Sequence, residues 1–185
     1  MIYIENKRRK LERIKTQYPN AEILDLTSNS CCRNGQILSP FFPHGNIPIP
    51  FSPNAYATCV ESIWQGLKVF ETSDIDLTVF HNTTMHNIKR TTKRYGKIIG
   101  HRKGINGMEI LDYKSAKKLI YLPSYKWMLD NISEVSEVLK KIKERMQKHD
   151  IVFLDYNTNQ NIEDDTKPLS HALLVKMYLE GMYPI

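Results

Sequence analysis

The sequence predicts an α+β fold: a predominantly helical single domain over residues 1–185, with a few short strands. Three observations lead there. The chain has 185 residues, with 41% hydrophobic and 25% charged side chains, which suits one globular core. Apolar residues recur at helical spacing over 58–70, 133–149 and 169–181. Short unbroken apolar runs, AEILDLT at 21–27 and IVFLDYN at 151–157, read as strands.

In chain order, residues 5–18 form a charged segment with a weak helical stripe, Leu11 and Ile14. The strand at 21–27 follows. From Ser28 to Ala57 the composition changes, and five of the nine prolines fall here: Pro40, Pro43, Pro48, Pro50 and Pro53. Proline removes backbone donors and restricts φ, so this stretch is an irregular loop. Loops this long inside a compact domain are mostly functional or disordered, and Phe41, Phe42 and Phe51 argue for order. TCVESIWQGLKVF at 58–70 is an amphipathic helix. TTMHNIKRTTKRYG predicts a second helix ending at Gly96, and SAKKLI and SYKWMLDNI predict short helices on either side of Pro123. Residues 133–149 form the clearest helix, with Ser133 as N-cap and a stripe of Val135, Val138, Leu139, Ile142 and Met146. An acidic loop, TNQNIEDDTKP, separates the strand at 151–157 from a last helix capped by Gly181.

Charge is unevenly distributed. The net charge is +6, and between Leu77 and Met108 there is no acidic residue, yet Lys89, Arg90, Lys93, Arg94, Lys97, Arg102 and Lys103 all lie there. Such a block suits phosphates, on nucleic acid or on a nucleotide, or else forms a solvated basic face. Cys31, Cys32 and Cys59 are odd in number and lack a CxxC pair, which suits reduced thiols. His81 and His86 miss helical ligand spacing, so no metal is expected. No apolar run approaches membrane-span length, and the charged N-terminus lacks a signal-peptide core. These features predict a cytoplasmic protein that does not engage a membrane. They do not set its oligomeric state.

One stripe carries chemistry. Glu61, Gln65 and Lys68 recur at i, i+4 and i+7, so a continuous helix places them on one face. Thr58 and Glu61 also fit the capping-box spacing, which competes for the same carboxylate. The flanking Val60, Ile63, Trp64, Leu67, Val69 and Phe70 make most of the circumference apolar. A helix of that kind lies inside a domain, and its polar stripe faces buried partners or a cavity.

LSPFFPHG at 38–45, CVESIWQGLKVF at 59–70 and IKRTTKRYGKIIGHR at 88–102 together resemble the NADAR family. That family shows a Ser-x-Phe-Tyr-Pro-like loop, a Glu-x-x-x-Gln-x-x-Lys-Phe-like helix and a basic, glycine-containing segment in this order. Here Phe42 stands for the usual aromatic, and Val69 is inserted before Phe70. The resemblance is best over 38–102 and implies a NADAR-type domain and an N-glycosidase. Its implied substrate is ADP-ribose on guanine in DNA, preferably single-stranded, so that the enzyme reverses DNA ADP-ribosylation as an antitoxin or in phage counter-defence. Alternatives are a phosphoribosylated riboflavin-pathway intermediate, or a non-catalytic module that binds ADP-ribose or nucleic acid.

On this resemblance, Glu61 matches the catalytic glutamate and Lys68 the active-site lysine. Trp127 matches a later aromatic, and Asp165, or Asp164, a downstream acid. Cleavage of a ribosyl N-glycosidic bond builds positive charge on the sugar, which a carboxylate such as Glu61 stabilises. Lys68 would bind as a cation, or attack C1 of the ring-opened sugar as an amine. Gln65 would orient one or the other. Ser39 with Lys93 or Arg94 would hold the diphosphate, and Phe42, Trp64 and Trp127 would stack on a base. No cofactor is implied.

Overall fold

The computed structural model describes residues 1–184 and divides them into two compact units, residues 1–39 with 132–184, and residues 40–131. The fold is α+β, with helix over 38% of the chain. Helix is less extensive than the sequence predicts because several segments that read as helix fold as strand or turn.

In the first unit, three parallel strands lie in the order β1 (Ile2–Asn6), β8 (Ile151–Asp155), β2 (Glu22–Asp25). The unbroken apolar run of β8 has its cause in this position: all five residues are buried, because a central parallel strand is covered on both faces. Ile14 of α1 (Leu11–Gln17) packs on Val152 and Leu154. Helix α2 (Arg33–Gln36) is a single turn. Helix α7 (Ser133–Met146) buries Val135, Val138, Leu139 and Ile142, as its periodicity predicts, although its N-cap is Ile132 instead of Ser133. Helix α8 (His171–Leu179) is capped by Ser170 Oγ, which accepts from the Leu173 amide, and Gly181 follows it with φ +73°. Asp155 joins the end of β8 to this cap. Its Oδ2 accepts from Ser170 Oγ at 2.7 Å and lies 3.0 Å from His171 Nδ1, while His171 Nε2 sits 2.9 Å from the Leu26 carbonyl.

In the second unit, β3 (Ile47–Pro48) and β4 (Tyr56–Ala57) pair as a hairpin within the proline-rich stretch. Helix α3 spans only Val60–Gly66, and β5 (Lys68–Phe70) follows at once. This corrects the expectation of one helix over 58–70. A 3-10 turn at Leu77–His81 packs against α3 and sets the Phe80 ring over Gly66, where a Cβ would lie 2.3 Å from Phe80 Cε1. The predicted second helix is also corrected: α4 is one turn, Thr92–Tyr95. Met85 and Asn87 have φ of 61° and 57°, and residues in that region do not continue a right-handed helix. Strands β6 (Ile98–Arg102) and β7 (Ile110–Leu111) complete an antiparallel sheet in the order β5–β6–β7. The two short helices expected around Pro123 are instead continuous: α5 (Tyr113–Ala116) runs through a π-helical turn at Lys117–Tyr121 into α6 (Leu122–Asn131). Proline has no N–H for the carbonyl four residues back, and the wider turn accommodates that loss.

Candidate functional site

The site is built where α3 ends and β5 begins. The helix starts at Cys59, whose sulfur accepts from the Ser62 amide while Ser62 Oγ accepts from the Cys59 amide. The capping box is therefore Cys59 with Ser62, and not Thr58 with Glu61 as the spacing suggested. The Glu61 side chain is thereby left out of the cap and turns inward, only 7% exposed.

From there a hydrogen-bonded chain crosses the end of the helix. Gln65 Nε2 donates to Glu61 Oε1 at 2.7 Å, and Lys68 Nζ donates to Gln65 Oε1 at 3.0 Å. Lys68 reaches Gln65 from a strand, not from a third helical turn. Gln65 Oε1 also accepts from the Arg90 amide at 3.1 Å, which fixes the orientation of the carboxamide. Burial pulls the Lys68 amine below the ordinary lysine range. The Glu61 carboxylate opposes that shift, and the positive charges of Lys89 and Arg90 add to it.

Arg90 is structural. Its guanidinium donates to the Lys68 carbonyl at 2.6 Å, to Ser73 Oγ at 2.8 Å and to the Asp74 carbonyl at 2.6 Å, and lies against the rings of both Phe70 and Tyr95, which themselves touch. It ties β5 to the loop that follows. Arg102 is bound by the Asp74 carboxylate and Lys103 by Glu109. Three of the seven cations in the acid-free block are thus committed internally. Lys89, Lys93, Arg94 and Lys97 are exposed.

His101 was not legible in the sequence. It faces Lys68 across β5–β6, is 1% exposed, and packs against Trp64 with ring centroids 3.7 Å apart and planes tilted by 31°. Burial, helped by the Lys68 charge, lowers its pKa to about 3, so the imidazole is neutral. Neither ring nitrogen has a hydrogen-bond partner among the described residues. Only the strand pairing reveals it, because it lies 33 positions along the chain from Lys68.

The other expected residues lie on several elements. Trp64 is half-buried, with Tyr113 and Tyr121 at its edges. Phe42 is half-buried against His44. Trp127 lies half-buried on α6, and Lys93 and Arg94 are exposed on α4, Arg94 lying over the Tyr95 ring. Ser39 and Asp165 belong to the other unit. Ser39 is buried and Asp165 exposed, while the neighbouring Asp164 carboxylate accepts from Thr166. Among the described residues, no group of three or more His, Cys, Asp or Glu side chains is placed to hold a metal ion, and no helix is long and apolar enough to cross a membrane.

Residues 6–175 match the family of unknown function DUF6939, and the chain belongs to that family. No curated protein and no solved structure matches it.

Proposed function

We propose that this member of the DUF6939 family is an N-glycosidase that removes ADP-ribose from guanine in nucleic acid inside the cell. One observation carries the reading: a buried carboxylate, Glu61, is linked through Gln65 to a lysine whose amine is easier to deprotonate than usual. Such a pair suits a reaction that develops cationic charge on a sugar and releases a base. Hydrolysis breaks the bond between C1 of the ribose and the guanine nitrogen. The departing base takes a proton, and water supplies the hydroxyl to C1. Glu61 would stabilise the charge on the sugar or orient the water, and Lys68 would serve as cation or as free amine. The NADAR resemblance over 38–102 supplies the substrate class, and the exposed Lys89, Lys93, Arg94 and Lys97 suit the phosphates of a strand.

Incubation with an oligonucleotide carrying ADP-ribosyl-guanine, followed by mass spectrometry, tests the reading. Release of ADP-ribose is expected from the wild type and not from Glu61→Gln. No release at high enzyme overturns it. Lys68→Arg separates the two lysine roles, since arginine keeps the charge and cannot act as a free base. A second reading, cleavage of a small phosphoribosyl metabolite, is favoured by the internal commitment of Arg90, Arg102 and Lys103, which thins the basic surface. Turnover of the metabolite but not of DNA selects it.

A further inference from the structure

A fully buried histidine with two unpartnered ring nitrogens is costly, and phenylalanine would fill the same space without that cost. His101 is such a residue, and it lies where the proposed chemistry occurs. Its backbone pairs with that of Lys68 across β5–β6, and its ring lies beneath Trp64. A purely structural role does not account for an imidazole there. A neutral imidazole offers one N–H donor and one lone-pair acceptor, the combination that matches a hydroxyl group.

We infer that His101 is a substrate-binding residue of this site, which hydrogen-bonds a ribose hydroxyl beside Lys68 once Trp64 turns aside. The inference rests on the proposed function for the identity of the sugar. Both ring nitrogens are sealed from solvent, so a covering group has to move before a ligand reaches them. Trp64 packs directly against the imidazole, its ring tilted by 31°, and is itself only half-buried, which makes it the group to displace. Its other ring neighbours, Tyr113 and Tyr121, meet it edge-on.

The test pairs stability with binding, using ADP-ribose as the probe. In His101→Phe the thermal midpoint is expected to rise by about 2–4 °C, because two buried unsatisfied nitrogens are removed. Affinity for ADP-ribose is expected to fall on the order of tenfold. His101→Gln, which keeps a donor and an acceptor, should recover much of that affinity. Trp64 and Trp127 are the chain's two tryptophans, so ADP-ribose should change the fluorescence of wild type and Trp127→Phe but not of Trp64→Phe. A destabilised or unfolded His101→Phe overturns the inference, because the nitrogens would then be satisfied in the free protein. Unchanged affinity in a folded His101→Phe overturns it as well. If wild type fails to bind ADP-ribose, the functional reading fails and takes the assigned ligand with it. Binding by wild type with no effect of His101→Phe sinks the His101 role alone.

Discussion

Replacing Gln65 with leucine keeps the side chain's approximate volume and removes every hydrogen bond that its carboxamide makes. Gln65 is 4% exposed, and three groups depend on it: Glu61 Oε1, Lys68 Nζ and the Arg90 amide. Their costs differ. Arg90 is buried, so its orphaned amide loses about 1–3 kcal/mol. The Glu61 carboxylate, also buried, loses a charge-assisted bond of similar size. Lys68 is half-buried and its amine can turn toward water, so its share is small. Leucine returns about 1 kcal/mol through its greater apolarity. The contributions are not additive, and a net loss of about 2–4 kcal/mol is expected. With a urea dependence of roughly 2 kcal/mol per molar, the midpoint falls by about 1–2 M. Equilibrium unfolding followed by circular dichroism measures this, with the exposed Gln160→Leu as control. A Gln65→Leu midpoint within about 0.2 M of wild type refutes the idea that Gln65 bridges buried charge, given that slope.

Other consequences are equally direct. Asp155 is buried, which alone would raise its pKa. The His171 pair and the bonds from Ser170 Oγ and the Ala172 amide outweigh burial and hold the carboxyl at about 2. A folded pKa below the unfolded value stabilises the protein above pH 4, and this contribution fades as pH falls toward 2. It amounts to about 2 kcal/mol, and Asp155→Asn should flatten acid unfolding over that window. Gly66→Ala should cost about 1–3 kcal/mol, since the new Cβ meets a buried Phe80 ring, and Phe80→Leu in the same chain should restore part of it. If unpaired exposed cations contact a single strand, Lys89, Lys93, Arg94 and Lys97 set a salt slope near −3, against about −5 for all seven cations of the block. A filter-binding titration across salt concentrations distinguishes the two values.

The elements legible in the sequence are those whose signal is local. Helix α7 and strand β8 announce themselves through periodicity and an unbroken apolar run, because each buries its face within one element's length. Strand β1 escaped notice because Tyr3, Glu5 and Asn6 dilute its two buried isoleucines, and its pairing with β8 joins residues about 150 positions apart. Strand β5 read as the end of a helix because LKVF suits either state at that length. The polar stripe shows the same division. Helical spacing brought Glu61, Gln65 and Lys68 to attention, and the structure joins them by a different route, two from α3 and one from β5.

The sequence by itself determined which residues make up the candidate site: a glutamate, a glutamine and a lysine held close by short separation along the chain. Tertiary structure decided their state. It gave the helix cap to Cys59 and Ser62, turned Arg90 into an internal brace, and set a neutral His101 across from Lys68. Burial and long-range pairing fix the protonation and partners of a side chain, and both depend on atoms distant in sequence. The order of residues names the groups, and the packing around them decides what they can do.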